Sequence, residues 1–224
     1  MKLLDEYREL LSEIDEWFIR CQEHYPGEIA CARGCSECCR GLFDITLIDA
    51  ALLNMGFDTL AEDVKNIVMT RVEERLIFIR TIWPEFNHPF TINHRPEEER
   101  EELMASDNHT KCVLLDDDGK CLLYEYRPMT CRLHGLPLID VSGEIMESEW
   151  CTKNFPLNDP LQLKSLAGEF NRLFQREAAL GRDFTKELLG KAVNELDSFI
   201  PVALLIDFKG FNWKRWFAGY LIKT

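Results

Sequence analysis

Eight cysteines fall in two sets: Cys31, Cys35, Cys38 and Cys39 within nine residues, and Cys112, Cys121, Cys131 and Cys151 spread over forty. Thiolate is the soft ligand of zinc, copper(I) and iron–sulfur clusters. The spacings C-x3-C-x2-C-C let several sulfurs converge from one short stretch of backbone, and Gly34 gives that stretch access to positive φ. Cys38 and Cys39 are adjacent, so their side chains point to opposite faces of an extended segment or about 100° apart on a helix. They therefore feed two nearby sites, or one of them stands aside. Four thiolates from each half match two four-thiolate sites, or one four-thiolate cluster with the remainder structural or redox active.

Other residues near the cysteines bear on the same chemistry. Thiolates around a metal leave net negative charge that guanidinium groups stabilise, which makes Arg127 and Arg132 candidates for that role. His134 is a candidate substitute for a cysteine ligand, whereas His88, His94 and His109 have no partner at a ligand spacing and read as loop residues. Cys21 lies on an apolar helical seam and reads as core. Asp116-Asp117-Asp118-Gly119 lacks the alternating acids and terminal Glu of a calcium-binding EF-hand loop and reads as a turn.

The elements that must position these groups are helices at both ends around an irregular middle. Leu3, Tyr7, Leu10, Ile14, Trp17 and Cys21 recur every three or four residues, an amphipathic helix ended by Pro26-Gly27. Thr46 with Asp49 starts a short helix. Thr59 with Glu62 forms a capping box for a long one, whose buried face is Leu60, Val64, Ile67, Val72, Leu76, Ile79 and Trp83, with Pro84 as its stop. Residues 84–111 read as a loop with at most a short solvated helix at the Glu-rich run. CVLL and KCLLY flank the Asp116–Gly119 turn as a β-hairpin, with Leu114 opposite Cys121 and Cys112 diagonal to it at about 7–8 Å. A second hairpin spans 136–146 and turns near Ser142-Gly143. Asp159-Pro160 opens a helix that carries Leu163, Leu166, Phe170, Leu173 and Phe174 inward and ends before Gly181; Thr185 caps the next, running to about Phe199.

Composition narrows the classes. Thirty-nine acidic against 26 basic residues give a net charge of −13, opposite to the footprint of a nucleic-acid binder. The opening MKLLDEYRELLSEIDEW lacks the apolar core and cleavage site of a secretory signal, and no run is long enough to cross a membrane. The sequence thus predicts a soluble cytoplasmic protein, where clustered thiols are metal ligands or catalytic groups rather than disulfides. The C-terminal FKGFNWKRWFAGYLIKT is a basic island with Lys209, Lys214, Arg215 and Lys223. Its Trp213, Trp216, Phe217 and Tyr220 fall at helical spacing, for docking onto the core, with a protein-partner interface as the other reading.

The run CARGCSECCR followed by CVLLDDDGKCLLYEYRPMTCRLHG closely resembles the YkgJ-type cysteine-cluster family, with its C-x2-C-x2-C-C and downstream C-x-x-Y-x-x-R-P-x-x-C-R. The downstream half stands intact as Cys121, Tyr124, Arg127, Pro128, Cys131 and Arg132, while the first spacing, Cys31 to Cys35, is three rather than two. The resemblance implies a zinc- or iron-chelating domain from Cys31 to about Cys151, with Tyr124 beside the arginines. The flagellin lysine methylase is distantly similar in its cysteine pattern and implies an iron–sulfur cluster; the likeness does not carry its methylase activity over, and no G-x-G-x-x-G follows a strand here.

The expected fold is mainly α, with a small irregular α+β cysteine-rich core of short hairpins packed among helices. Its parts are an N-terminal amphipathic helix over 1–30, a cysteine-cluster domain over 31–155 with a helical insertion at 46–105, and a C-terminal helical region over 156–224 on the same core. Two functions follow: an iron–sulfur protein holding a 4Fe–4S type cluster between the two cysteine sets, with a redox or protein-modifying role, or a zinc-stabilised module without catalysis. Whether the chain is an enzyme stays open at this point.

Overall fold

The computed structural model describes residues 2–220, and its fold is mainly α with short antiparallel strand pairs. α1 (Lys2–His24) buries Tyr7, Leu10, Leu11, Ile14, Trp17 and Cys21, the stripe expected from the periodicity. Trp17 anchors it by donating its indole N–H to the Leu166 carbonyl at 2.8 Å.

β1 (Asp44–Thr46) leads into α2 (Leu47–Phe57), capped by the Thr46 hydroxyl as the sequence predicts. α2 is apolar nearly all round, the pattern of a fully enclosed helix. Leu47, Ala50 and Leu53 join one hydrophobic cluster, and Ile48 and Leu52 join a second. The helix is thus the partition between the two halves of the core.

α3 (Glu62–Ile82) departs from expectation at its start and along its face. Ala61, not Thr59, occupies the N-cap, because the Thr59 hydroxyl donates instead to the Gly56 carbonyl at the end of α2, 2.6 Å away. The inward residues are Val68, Val72, Arg75 and Ile79, while Ile67 is 54% exposed. A run with apolar residues on several faces leaves the burial direction to its neighbours. α4 (Glu97–Ala105) is the short solvated helix of the Glu-rich run and buries only Leu103.

The CVLL/KCLLY pair forms a turn without ladder strands. One isolated bridge joins Leu115 to Cys121, one residue away from the expected register, because Cys112–Leu115 curls into a turn of its own, closed by Leu115 N–H to the Cys112 carbonyl at 3.2 Å. α5 (Met129–Leu133) follows Pro128. β2 (Leu138–Ile139) and β3 (Ile145–Glu147) then pair antiparallel around Gly143, the second hairpin anticipated.

Asp159 caps only a 3-10 turn, Pro160–Gln162. The long helix is α6 (Phe170–Leu189), which runs through both Gly181 and Thr185 and ends at Gly190, in the left-handed conformation at φ 79°. A helical glycine costs about 1 kcal/mol, less than the burial of Phe170, Leu173, Leu180 and Leu189 provides. Thr185 therefore caps no helix; its hydroxyl bridges the Arg182 and Val193 backbones. The chain up to Phe199 becomes β4 (Asp197–Phe199), antiparallel to β1, and Pro201 lies inside α7 (Ile200–Ala203). α8 (Trp213–Tyr220) buries Trp213 and Phe217 against this core and exposes Lys214 and Arg215. Lys223 lies outside the described residues. Among those residues no helix is long and apolar enough to cross a membrane.

Candidate metal centre

The two cysteine sets meet because three stretches of irregular backbone are tied together. Cys35 and Cys39 each close a tight turn, through N–H bonds to the Ala32 and Ser36 carbonyls at 2.9 and 3.1 Å. Cys112 N–H then donates to the Cys39 carbonyl at 2.9 Å, and Gly41 N–H to the Thr110 carbonyl at 2.8 Å, joining the end of the first set to the start of the second. Gly41 is required at this junction. It sits at φ 86°, and a Cβ there would lie 2.5 Å from the Asp107 carbonyl oxygen.

Cys131 is placed by a buried polar anchor. Asp49, on α2, accepts from the Tyr7 hydroxyl of α1 at 2.8 Å and from Met129 N–H at the start of α5 at 3.1 Å. One carboxylate thus fixes the short helix that carries Cys131. Upstream, the Tyr124–Tyr126 turn lies on Gly56 of α2, where any Cβ would overlap the Tyr126 ring.

Seven of the eight cysteines, Cys31, Cys35, Cys38, Cys39, Cys112, Cys121 and Cys131, line one cavity of about 450 Å³. Cys151 is outside that lining but adjoins Cys31 through Gly135 and Asn154. The fully buried Asn154 donates to Cys31 Sγ at 3.2 Å and to the Gly135 carbonyl at 2.6 Å, and accepts from Ala30 N–H at 2.8 Å. Cys151 N–H donates to the same Gly135 carbonyl at 3.2 Å. Sequence reasoning missed Asn154 and had no signal for it, since a polar residue in a loop announces nothing until its partners are known.

Burial dominates the electrostatics of the thiols. It pushes Cys112 up to about 11, Cys131 well above the ordinary thiol value, and Cys31 and Cys121 upward. Cys38 is raised first by its hydrogen bond with Cys39 and then by burial. Cys31 feels Cys35, Cys151 and Cys38, whereas Cys131 feels Cys112, Cys121 and Cys38. Cys38 is therefore the thiol within reach of both groups. A metal entering here displaces protons that the apolar surroundings hold tightly. As the side chains stand, no three His, Cys, Asp or Glu groups among the described residues converge on a single metal position.

Cations surround the thiols. Arg127 pairs with Asp15 at 2.7 Å, and Arg132 takes the other oxygen of that carboxylate. The Tyr124 ring lies under the Arg127 guanidinium at 3.9 Å and the Arg33 guanidinium at 4.8 Å. Arg75, also on the cavity wall and buried, pairs with Asp107. Sequence reasoning missed it, because it set a different face of α3 inward and a lone arginine among apolar residues on several faces gives no direction. His134 lines the cavity, and its ring meets Phe43 edge-on. His88 accepts from Asp207 N–H at 3.3 Å, and His94 packs on Trp83; neither lines the cysteine cavity. Cys21 is core on α1, as its seam position indicates.

A family model described as "CxxCxxCC: Putative zinc- or iron-chelating domain" matches residues 30–152, from the residue before Cys31 to the one after Cys151. Comparison with curated proteins and with solved structures gives no match.

Proposed function

The chain belongs to the CxxCxxCC family of zinc- or iron-chelating domains, and from that premise we propose that it holds a 4Fe–4S type iron–sulfur cluster between Cys31–Cys39 and Cys112–Cys151 and serves a redox or protein-modifying role. The observation that carries this reading is the disposition of seven cysteines around one cavity of about 450 Å³. Four thiolates on a single zinc ion at about 2.3 Å stand only about 3.8 Å apart by tetrahedral geometry. A wider ring of thiols suits a cluster that contributes its own sulfide and spreads its protein ligands outward.

The donor set fits such a group. Cys131 feels the charges of Cys112, Cys121 and Cys38, and Cys112 feels those of Cys121 and Cys38. Cys31, Cys35 and Cys151 flank these four, with Asn154 donating to the Cys31 sulfur. When bound, an iron–sulfur cluster supplies one-electron transfer. Around it the chain's own residues set the conditions. Leu53, Val113 and Leu114 keep the wall apolar, and Arg75, Arg127 and Arg132 set positive charge against the thiolates.

The zinc reading has its own support. Residues 25–43 and 106–123, which carry six of the eight cysteines, contain no helix and no strand beyond isolated bridges. Segments of that kind gain order from closed thiolate sites, whose binding free energy is folding free energy. Anaerobic purification with iron, sulfide and zinc analysis and a visible spectrum separates the two. Stoichiometric iron and acid-labile sulfide with broad visible absorption are expected; colourless protein with tightly held zinc overturns the cluster reading.

A further inference from the structure

The cysteine cavity carries six cationic side chains on its wall: Arg33, Arg40, Arg75, Lys111, Arg127 and Arg132. Four have carboxylate partners. Arg33 pairs with Glu125 at 3.1 Å, Arg75 with Asp107, and Arg127 and Arg132 share Asp15. Arg40 and Lys111 form no ion pair and no side-chain hydrogen bond among the described residues. Glu37 lies near enough to feel Arg40, yet its carboxylate is taken by Lys153 at 2.7 Å.

These two unpaired cations are also direct neighbours. Arg40 and Lys111 form an antiparallel bridge, braced on either side by the Cys39–Cys112 and Gly41–Thr110 hydrogen bonds. Like charges set opposite each other in a bridge repel and destabilise it. In a chain of net charge −13, with acidic side chains abundant, two neighbouring cations without an ion pair at a cavity rim repel each other, and an incoming anion would reduce that repulsion. Phe18, Phe43 and the half-exposed Ile19 lie on the wall of the same cavity.

We propose that Arg40 and Lys111 form a binding site for the anionic head of a small amphiphilic molecule, a carboxylate or phosphate whose apolar body lies along Phe18, Ile19 and Phe43. Two oxygens of one such head can be shared between a guanidinium and an ammonium carried on paired backbone positions, with the fork of Arg40 supplying directed donors and Lys111 a point charge. The site places the ligand next to Cys39 and Cys112, which the bridge residues adjoin in sequence. The inference rests on the cavity lining and stands whichever metal the cysteines take.

The test is a calorimetric titration of phenyl phosphate, phenol and inorganic phosphate into the protein as purified, and into Arg40→Gln/Lys111→Gln, with metal measured in every sample. Both side chains are on the surface, so the double variant is expected to fold, and to melt at a higher temperature than the parent without ligand because the repulsion is gone. Saturable binding of phenyl phosphate is expected, weakened by salt and at least about tenfold weaker in the double variant, with phenol not saturating and inorganic phosphate weaker than its phenyl ester. The proposal is overturned by equal affinity in the double variant or by no saturable binding to the parent. It is equally overturned if the double variant loses metal and phenyl phosphate affinity together, since the pair would then serve the thiolates.

Discussion

Two cavities that share Thr130 and His134 in their walls carry opposite charge. Among the described residues the cysteine cavity has six cationic side chains against the single carboxylate of Asp15. Its neighbour, of about 610 Å³, is lined by Asp44, Asp49, Glu147, Glu149, Glu177 and Asp197 and, among the described residues, by no lysine or arginine. The buried groups respond alike, by holding protons. Burial pushes Glu177 up to about 7, helped by the charges of Asp49 and Asp197, and pushes Asp49 and Asp197 up to about 6. The difference lies in what can replace the proton. On the cysteine side soft sulfur donors suit a metal, and the wall around them is cationic. On the acidic side the proton is itself the counter-charge, and Asp49 is kept for structure by Tyr7 and Met129.

The strongest way to break that contrast is to remove a thiol. Cys38→Ala and Cys131→Ala are expected to lower metal content and melting temperature together, by more than the roughly 10–100-fold affinity loss typical of a residue that only supports a ligand. Metal analysis beside a thermal melt checks it; unchanged values in both variants remove the site as proposed. Next comes Asn154→Ala, which strips partners from Ala30 N–H, the Gly135 carbonyl and Cys31 Sγ. At about 1–3 kcal/mol for a buried group left without its partner, the melting temperature should drop by several degrees, and Cys31, losing the hydrogen bond that favours its thiolate, should become slower to alkylate in the metal-free protein.

The acidic side is sharpened by Glu177→Gln. A carboxylate with a raised folded pKa binds its proton more tightly in the native state, so its effect on stability is most favourable below the unfolded value near 4.5. That advantage is lost as pH rises to about 7. The variant should be more stable than the parent at pH 7 by about 1–3 kcal/mol, with the gap closing at pH 4.5; denaturant melts at the two pH values would show a constant gap if Glu177 did not titrate. The smallest effect is expected from Gly56→Ala, where crowding against Tyr126 costs about 1–3 kcal/mol but the gain in helix propensity returns up to about 1. A melt no lower than the parent's would show that the Tyr124–Tyr126 turn tolerates being moved off α2.

The legible parts of this protein are those in which side-chain type alone fixes the outcome. The heptad-like stripe of α1, the Thr46 cap, the turn at Ser142-Gly143 and the solvated Glu-rich helix all appear as their local chemistry dictates. The misread parts are those in which a local signal had a competitor. Thr59 had a nearer carbonyl than the helix start it was suited to cap, and Gly181 was outweighed by the apolar residues on either side of it.

By itself the sequence determined that this is a cysteine-cluster protein, because thiol count, spacing and the Y-x-x-R-P-x-x-C-R run are local properties that the family match over residues 30–152 bears out. Only the tertiary structure decided that seven thiols face one cavity, that Asn154 and Arg75 belong beside them, and that an acidic chamber adjoins them. Those facts depend on which segments α2 and the Cys39–Cys112 hydrogen bond bring together across more than seventy residues of chain. Spacing records which donors exist, whereas long-range packing sets which of them share a space and what charge that space carries.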